Sequence, residues 1–244
     1  MTLFLVGIGP GGGSDMTDRA RAALAASDLI VGYTVYVDLL RSDFPDKELR
    51  STPMRREVER TRMALAEAAA GRTVALVCSG DPGVYGMAGL CLELAPEFPP
   101  IDIEMVAGVT AATAAAAALG APLMHDFAVV SLSDLLTPWT LIEARLDAAA
   151  RADFVICLYN PSSRSRSDYL QRACDVLLRS KSSATLCGIA RNIGRNGDDA
   201  RMLTLGELRT ASVDMFTTVI VGSSATRSIE GRMVTPRGYG LEGR

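Results

Sequence analysis

Short apolar runs alternate with helical segments along the first half of the chain. Four runs have the length and apolar character of buried strands: residues 3–8, 29–31, 74–78 and 101–106. Segments typical of helices lie at about 15–26, 57–70 and 87–94. Ser14 is the predicted N-cap of the first helix, and Gly71 is the residue predicted to close the second. This alternation predicts β-α units built on a parallel sheet.

The second half of the chain has a different pattern, in which some strands follow one another through turns. The predicted strands are residues 127–131, 153–159, 184–190, 201–205 and 216–222, and the predicted helices are 138–150 and 166–180. The glycine- and asparagine-rich segment 194–198 predicts a hairpin turn, and hence some antiparallel pairing. Gly120 and Pro122 interrupt the pattern of helices and strands. We therefore place a domain boundary here, between a first domain, 1–121, and a second domain of mixed sheet, 122–244.

Turns of small residues follow three of the predicted strands in the first half. The turn after residues 74–78 is Ser79-Gly80-Asp81-Pro82-Gly83-Val84-Tyr85-Gly86. Glycine lets a ligand approach the backbone closely, and Asp81 offers one fixed acceptor. In open α/β sheets, ligands bind at the carboxyl ends of strands. The turn is therefore either an ordinary tight connection or the wall of a ligand site.

A dinucleotide-binding motif is a possible interpretation of the first turn, because Gly7, Gly9 and Gly12 have the spacing of that fingerprint. Pro10 argues against it, since proline lacks the backbone N–H that a pyrophosphate would need. The strand at 29–31 is also not followed by the acidic residue that would bind a ribose. A dinucleotide-dependent oxidoreductase is thus kept as the alternative from a different functional class.

The segment from Met105 to Met124 contains no charged residue over about the length of a bilayer span. It is mostly alanine, which contributes little transfer free energy, so it predicts a buried helix packed closely on a sheet. The start of the chain lacks the basic and long apolar regions of a signal peptide. We therefore expect a cytoplasmic protein without a membrane partner.

Composition limits the classes of partner further. Hydrophobic residues make up 48% of the chain and charged residues 22%, which is typical of a globular protein. The net charge of −3 argues against a nucleic-acid partner, because phosphate binding needs a positive face. The five cysteines form no Cys-x-x-Cys pair, and we predict that they are buried in a reducing compartment. With His125 as the single histidine, no metal site is predicted.

Three turns together resemble the tetrapyrrole methylase family. They are Gly7-Ile8-Gly9-Pro10-Gly11, Ser79-Gly80-Asp81-Pro82-Gly83 and Gly108-Val109-Thr110-Ala111, in one order and at domain-scale spacing. The resemblance covers nearly the whole chain. It implies two α/β domains with S-adenosylmethionine in a trough between them, transfer of a methyl group to a tetrapyrrole, and a homodimer.

Two stretches in the second half resemble the precorrin-3B C17-methyltransferase branch of this family. They are residues 125–139 and Leu158-Tyr159-Asn160-Pro161. The resemblance implies methylation of C17 of precorrin-3B, with contraction of the ring to precorrin-4, in cobalamin biosynthesis. The cobalt-containing counterpart, cobalt-factor III, is the alternative acceptor. Another ring position, a protein or ribosomal RNA acceptor, and a non-catalytic tetrapyrrole carrier are the further alternatives.

The resemblance also implies which residues would bind S-adenosylmethionine and its product S-adenosylhomocysteine. They are Pro10, Gly80, Asp81, Val84, Thr110, Ala111, Tyr159, Asn160 and the backbone around Ala190. Asp81 would be the polar anchor, because a carboxylate among glycines is costly unless it meets a donor. Thr110 is equally typical of a helix N-cap and Asn160 of a turn residue, and both roles are compatible with ligand contact.

The acceptor that the resemblance implies is a polycarboxylate macrocycle, whose site would need apolar walls and fixed cations. The predicted substrate-binding residues are Tyr33, Ser131, Ser133, Arg164 and Arg191, with Arg55, Arg56 and Arg166 as further candidate cations. Each arginine taken singly is better explained as a solvated surface charge. Tyr33 and Tyr36 either line a cleft or cap a core.

Ring contraction requires proton movement, for which a positioned acid or base is needed. Asp134 and His125 are the predicted catalytic residues, because both lie in polar loops near the predicted domain boundary. The structural alternatives are a helix N-terminal cap for Asp134 and a hinge hydrogen bond for His125.

Overall fold

The computed structural model describes residues 2–11, 13–163 and 167–239. Its contacts divide the chain into two compact units, Met1–Ala111 and Ala112–Arg244. The strands of the first unit are β1 (Thr2–Gly7), β2 (Leu29–Tyr33), β3 (Glu48–Thr52), β4 (Val74–Cys78) and β5 (Asp102–Val106). Its helices are α1 (Asp18–Ala26), α2 (Thr34–Asp38), α3 (Glu57–Ala69) and α4 (Ala88–Leu94).

The sheet of the first unit is parallel, with the strand order β3-β2-β4-β1-β5. Alternate side chains of its strands enter two different cores. Leu5 of β1 packs with residues of α3 and α4, whereas Val6 packs with residues of α1 and α2. Because helices cover both faces, the central strands are apolar throughout, which is the pattern that the sequence shows.

Three local predictions for the first unit were wrong or incomplete. The first helix begins at Asp18 with Thr17 as its N-cap, whose hydroxyl accepts the N–H of Ala20 at 3.1 Å. Ser14 lies instead in a short 3-10 turn. The strand β3 was not predicted, because its side chains are mostly exposed or half-buried at an edge of the sheet and lack an apolar run. Helix α2, which contains Tyr36, was not predicted either.

The second unit contains a mixed sheet and a small additional sheet. Its strands are β6 (Gly120–Ala121), β7 (Phe127–Ser131), β8 (Val155–Tyr159), β9 (Leu186–Arg191), β10 (Asp199–Thr204), β11 (Thr217–Val221), β12 (Arg227–Ile229) and β13 (Arg232–Val234). Its helices are α5 (Ala111–Leu119), α6 (Trp139–Arg151), α7 (Tyr169–Leu177) and α8 (Leu205–Leu208). The main sheet has the order β10-β9-β11-β8-β7, and the small sheet has the order β12-β13-β6.

Strand direction decides which ends of the second sheet lie together. β7 and β8 are parallel, while β11 is antiparallel to both β8 and β9. Strands β7, β8 and β9 therefore run in the same direction, and their carboxyl ends share one edge. The predicted hairpin at 194–198 is confirmed, since β10 pairs antiparallel with β9.

The alanine-rich helix α5 is packed closely on this sheet, as predicted. Ala112, Ala115 and Leu119 belong to a core that includes Cys157 of β8 and Ile220 of β11. A Cβ atom on Gly188 of β9 would lie 2.8 Å from Leu119 Cδ2, so any larger residue there would force the Leu119 side chain to shift. Within the described residues, no helix is long and apolar enough to cross a membrane. The contact-based units divide after Ala111, the first residue of α5, whereas the sequence predicted the domain boundary after residue 121.

A buried lysine stabilises the other edge of the second sheet. Lys181 is 7% exposed, and its Nζ lies 3.0 Å from both Asp153 Oδ1 and the carbonyl oxygen of Gly222. The carboxylate of Asp153 also accepts the N–H and hydroxyl of Ser224. Burial raises the pKa of Asp153, but these hydrogen bonds outweigh it and leave the pKa below its ordinary value. The group stabilises the amino end of β8, which Asp153 precedes.

The five cysteines are buried and unpaired, as the sequence predicted. Burial raises the pKa of Cys78 and Cys91 to about 11 and that of Cys157 and Cys174 to about 12. Burial also raises the pKa of Cys187. These thiols are therefore protonated at neutral pH and pack as small apolar groups. The described residues contain no group of three or more His, Cys, Asp or Glu side chains that could hold a metal ion.

Candidate functional site

The three small-residue turns of the first unit meet at one edge of its sheet, because β4, β1 and β5 are neighbours. The first two turns are joined by backbone hydrogen bonds. The N–H of Gly80 donates to the carbonyl oxygen of Gly9 at 2.7 Å, and the N–H of Gly9 donates to that of Gly80 at 3.2 Å. Both residues have a positive φ, which is +75° for Gly9 and +69° for Gly80, and this conformation favours glycine at each position.

The third turn approaches the other two so closely that side chains are excluded. A Cβ atom on Gly7 would lie 2.5 Å from the carbonyl oxygen of Gly80. A Cβ atom on Gly108 would lie 2.6 Å from the carbonyl oxygen of Gly7 and would overlap that of Gly80. Gly7 and Gly108 are thus explained by direct packing of three backbones at the carboxyl edge of the sheet, and Gly9 and Gly80 by their positive φ.

Asp81 connects two of these turns through its side chain. Its Oδ1 accepts the N–H of Gly83 at 2.8 Å, and its Oδ2 accepts the N–H of Gly108 at 3.0 Å. The carboxylate therefore meets donors supplied by the chain itself, which the sequence did not show. A carboxylate has about four lone-pair sites, so a ligand N–H or O–H could be accepted as well.

The other first-unit residues predicted to bind the donor lie on the same turns. A Cβ atom on Gly80 would be 3.6 Å from Thr110 Cα and 3.7 Å from the backbone nitrogen of Ala111, so these three residues are neighbours. The N–H of Val84 donates to the carbonyl oxygen of Asp81 at 3.3 Å within the same turn. Pro10 follows Gly9 and is buried. The fingerprint residue Gly12 lies outside the described residues.

Tyr33 ends β2, the strand beside β4. Its ring packs edge to face with that of Tyr36, with centroids 5.1 Å apart. The guanidinium carbon of Arg60 lies 5.7 Å from the centroid of the Tyr33 ring. Tyr33 is half-buried, so part of its surface is accessible at the carboxyl edge of the sheet.

In the second unit, residues predicted for both ligands meet at the carboxyl ends of β7 and β8. The side-chain amide of Asn160 donates to Ser131 Oγ at 3.0 Å, and the N–H of Ser133 donates to the same oxygen at 3.2 Å. Asn160 has a φ of +52°, a left-handed conformation that asparagine tolerates better than most residues. The structure thus joins Ser131, Ser133 and Asn160 into one hydrogen-bonded group.

Tyr159 and Ala190 have structural contacts that bear on their predicted role. The hydroxyl of Tyr159 accepts the N–H of Ala112 at 2.7 Å, which satisfies one of the unpaired amides in the first turn of α5. Ala190 is 1% exposed and belongs to the core beneath α5. Its side chain is therefore enclosed, and a ligand contact there would involve backbone atoms.

The candidate cations that lie within the described residues are engaged in ion pairs or are exposed. Arg191 lies at the same edge as Ser131, and its Nε is 2.7 Å from Asp214 Oδ2. Burial raises the pKa of Asp214. The hydrogen bonds that its carboxylate accepts, of which the one from Arg191 has the largest effect, outweigh burial and leave the pKa below its ordinary value. Arg56 pairs with Glu59 at 3.2 Å, and Arg55 is exposed. Arg164 and Arg166 lie outside the described residues.

Asp134 lies in a group of aromatic and cationic side chains. Its Oδ2 accepts a hydrogen bond from the hydroxyl group of Tyr169, and this hydrogen bond raises the pKa of the Tyr169 phenol. The ring of Tyr169 packs against Trp139, with centroids 4.9 Å apart. The guanidinium of Arg172 lies over both rings, at 4.0 Å from the Trp139 centroid. Asp134 is thus held in one orientation, three residues after Ser131.

His125 lies elsewhere in the second unit. It precedes β7, whereas Ser131 ends that strand, and a strand rises roughly 3.3 Å per residue. Its side chain is exposed, with Nδ1 at 3.6 Å from Asp126 Oδ2. The structure therefore does not bring His125 together with Asp134, because strand β7 separates them along its whole length.

Two residues of interest were missed in the sequence. Tyr169 was assigned only to the start of a helix, because the strand-end loop that it contacts is distant in sequence. Arg60 occupies the buried side of α3 together with Thr61, Ala64, Leu65 and Ala68. A charged residue within an otherwise uncharged helical stripe was the available signal.

Comparison with known proteins identifies the family. The family model described as "Tetrapyrrole (Corrin/Porphyrin) Methylases" matches residues 2–209. A "Probable cobalt-factor III C(17)-methyltransferase" of Salmonella typhimurium is 49% identical over 240 residues, which cover 98% of this chain and 100% of that protein. The "Cobalt-factor III methyltransferase" of Priestia megaterium is 42% identical over 97% of this chain, and the match spans 45% of that longer protein.

Solved structures agree with this assignment. The crystal structure of the methyltransferase CobJ is 39% identical, covers 96% of this chain and superposes with a TM-score of 0.87. A uroporphyrin-III C-methyltransferase from Thermus thermophilus, solved with S-adenosylhomocysteine, is 21% identical with a TM-score of 0.72, and it supports the fold alone. The α/β fold predicted from the sequence is confirmed. The chain belongs to the tetrapyrrole methylase family, whose members are S-adenosylmethionine-dependent, and is a methyltransferase of cobalamin biosynthesis.

Proposed function

We propose that the chain transfers a methyl group from S-adenosylmethionine to C17 of cobalt-factor III, with contraction of the macrocycle. The binding of S-adenosylmethionine is supported by one observation: the three glycine turns meet around Gly80 with their backbones in close contact. The acceptor is supported by the 49% identity, over the whole length, to a relative of that name. Metal-free precorrin-3B, the acceptor expected from the sequence, is the second candidate.

The backbone at the carboxyl edge of the first sheet fits a ligand of this kind. Gly80 and Gly83 carry no side chain that would keep a ligand away, and Thr110 and Ala111 line the space beside Gly80. Asp81 holds two of the turns in place and has remaining acceptor capacity for a ligand amine or hydroxyl. S-adenosylmethionine, when bound, supplies the methyl group as a sulfonium whose positive charge is lost on transfer.

The contribution of the chain to this reaction is orientation. Holding two reactants in near-attack geometry supplies roughly 7–11 kcal/mol in well-oriented systems. The turns of the first unit are suited to this task, because backbone hydrogen bonds and the Asp81 carboxylate fix them independently of side-chain rotamers. Methyl transfer to an electron-rich carbon needs no covalent enzyme intermediate, so the chain needs no nucleophile.

Asp134 is the proposed group for proton movement during ring contraction. Tyr169 donates a hydrogen bond to Oδ2 of this carboxylate and so keeps it oriented, and a carboxylate held in this way is suited to proton transfer. The hydrogen-bonded group of Ser131 and Asn160 lies on the same edge of the second sheet. His125 is not proposed for this role, because it lies at the other end of β7.

Incubation of the enzyme with methyl-labelled S-adenosylmethionine and each acceptor tests the proposal. We expect cobalt-factor III to gain one labelled methyl group and to give a ring-contracted product, identified by mass and absorption spectra. A product formed from precorrin-3B alone would assign the metal-free acceptor instead. Absence of label in both acceptors, with enzyme shown to be folded, would contradict the proposed function.

Thermal shift separates the methyltransferase from the oxidoreductase alternative. S-adenosylhomocysteine at a hundred times its Kd is expected to stabilise the native state by about 2.7 kcal/mol, because a ligand that binds only the native state shifts the unfolding equilibrium. NAD and NADP at the same concentrations should leave the melting temperature unchanged. Stabilisation by the dinucleotides alone would favour the oxidoreductase.

Replacing Asp134 with asparagine tests its proposed proton transfer. We expect kcat to fall by roughly 10²- to 10⁴-fold, the usual contribution of a general acid or base, with an unchanged Kd for S-adenosylhomocysteine. Asp126→Asn is the matched control, since this exposed carboxylate lies before β7. Near-normal turnover of Asp134→Asn would remove Asp134 from the chemistry and leave it as a partner of Tyr169.

A further inference from the structure

Arg60 is a buried arginine in the first unit that the proposed donor site does not use. It lies in the first turn of α3 and is 3% exposed. Burying a guanidinium is costly unless hydrogen bonds or opposite charges compensate for the lost water. Burial lowers the pKa of Arg60 from its ordinary value, but arginine stays protonated at neutral pH in proteins. A buried positive charge therefore lies beneath the carboxyl edge of the first sheet.

The partners of Arg60 are neutral. Its Nε donates to Thr52 Oγ1 at 2.9 Å, and its Nη2 donates to the carbonyl oxygens of Pro53 at 3.1 Å and Thr52 at 3.4 Å. Its Nη1 lies 3.4 Å from the sulfur of Met87, and its guanidinium lies 5.7 Å from the centre of the Tyr33 ring. Within the described residues, it forms no ion pair with a carboxylate.

These partners come from three different places at the same edge of the sheet. Thr52 ends β3, Tyr33 ends β2, and Met87 follows the turn after β4. Arg60 therefore joins segments that are adjacent in space and distant in sequence. The hydroxyl of Thr34 adds a bond to the Thr52 carbonyl at 3.2 Å, so the ends of β2 and β3 form one hydrogen-bonded unit.

The donor turns have other supports. Gly9 and Gly80 are joined by backbone bonds, and Asp81 bonds to Gly108. None of these bonds involves Arg60. Most of its strong hydrogen bonds reach the end of β3 beside Tyr33, which the sequence assigns to acceptor binding. The loss of Arg60 should therefore disturb Tyr33 more than the donor turns.

We propose that Arg60 is a positioning residue for the acceptor: it holds the ring of Tyr33 and the end of β3 in the arrangement that receives the macrocycle. The proposal rests on the proposed function, because it concerns the acceptor of that reaction. Arg60 itself touches neither ligand in this proposal. It acts through Tyr33, by a cation–π contact and by fixing the backbone next to it.

Steady-state kinetics of Arg60→Met separate this role from a purely structural one. We expect the KM for cobalt-factor III to rise roughly tenfold, as for the loss of one cation–π contact and its supporting hydrogen bonds, and the Kd for S-adenosylhomocysteine to change less than about twofold. Arg60→Lys keeps the charge but not the planar fork, so it should give a smaller rise in KM. Lys181→Met is the matched control, because it removes a buried cation from the second unit.

A double-mutant cycle with Tyr33→Ala identifies the route of the effect. If Arg60 acts through Tyr33, Arg60→Met should raise the acceptor KM of Tyr33→Ala by less than about twofold, because coupled residues are not additive. Fully additive effects, or a wild-type KM in folded Arg60→Met, would overturn the proposal. An equal rise in donor Kd and acceptor KM would also overturn it. If Arg60→Met does not fold, the same cycle is run with Arg60→Lys.

Failure of this proposal is distinguishable from failure of the proposed function. Wild-type enzyme that methylates neither acceptor contradicts the function itself. Wild-type enzyme that is active, with a folded Arg60→Met variant of unchanged acceptor KM, contradicts only the role of Arg60. Lys181→Met should lower the melting temperature without changing either ligand constant, and this result would show that a loss of stability alone does not raise the acceptor KM.

Discussion

Gly108→Ala is expected to weaken binding of S-adenosylhomocysteine by at least roughly tenfold and to lower the melting temperature by about 2–12 °C. The added Cβ would lie 2.6 Å from the carbonyl oxygen of Gly7 and would overlap that of Gly80. Both neighbours are backbone atoms, so no side-chain rotation can relieve the overlap. Overpacking of this kind costs about 1–3 kcal/mol, and the displaced turns are those proposed to bind the donor.

Gly89→Ala is the matched control for this substitution. Gly89 lies in α4, and a Cβ atom there would meet nothing within 4 Å. Alanine in a helix is favoured over glycine by up to about 1 kcal/mol, so this variant should be neutral or slightly more stable and should bind S-adenosylhomocysteine normally. Calorimetric titration and thermal melts of both variants make the comparison. Equal behaviour of the two variants would contradict the proposed donor site.

Asp81→Asn is expected to raise the Kd for S-adenosylhomocysteine by roughly 10- to 150-fold, from the loss of a charged hydrogen bond worth about 1.5–3 kcal/mol. The two carboxylate oxygens accept the N–H groups of Gly83 and Gly108. In asparagine one of these oxygens becomes an NH₂ group, which cannot accept either bond. One turn should then move relative to the other, and the remaining acceptor capacity for a ligand falls as well.

Asp102→Asn is the control for a change of charge in the same unit. Asp102 is exposed at the start of β5, at the opposite end of that strand from Gly108. Its variant should bind S-adenosylhomocysteine with an unchanged Kd. A Kd of Asp81→Asn within about twofold of the wild-type value would show that the backbone bonds alone hold the turns, and that Asp81 is not an anchor for the ligand.

Much of the fold was predictable, because its signals are local. The central strands of the first unit lie beneath helices on both faces, and their uncharged runs identify them. The close packing of α5 also followed from its alanine content. Elements without such a signal were missed: β3 is an edge strand with exposed side chains, and α2 consists largely of residues that favour strands.

The candidate site was predictable only as a set of residues, not as an arrangement. Glycine turns mark close backbone approach, so Gly7, Gly80 and Gly108 could be selected from the sequence. Nothing in the sequence shows that Asp81 bonds to Gly108, because that contact depends on β5 lying next to β1. The same limit applied to Tyr169 and Asp134, which are 35 positions apart in the chain.

The sequence by itself determined the family, the alternation of strands and helices, and the turns that require glycine. These properties depend on hydrophobic periodicity and on backbone conformations that few residues adopt, both of which are local. Only the tertiary structure decided which residues meet, because strand order and direction determine the neighbours of each strand end. It joined Asn160 to Ser131, separated His125 from Asp134 by the length of β7, and buried Arg60 beneath Tyr33.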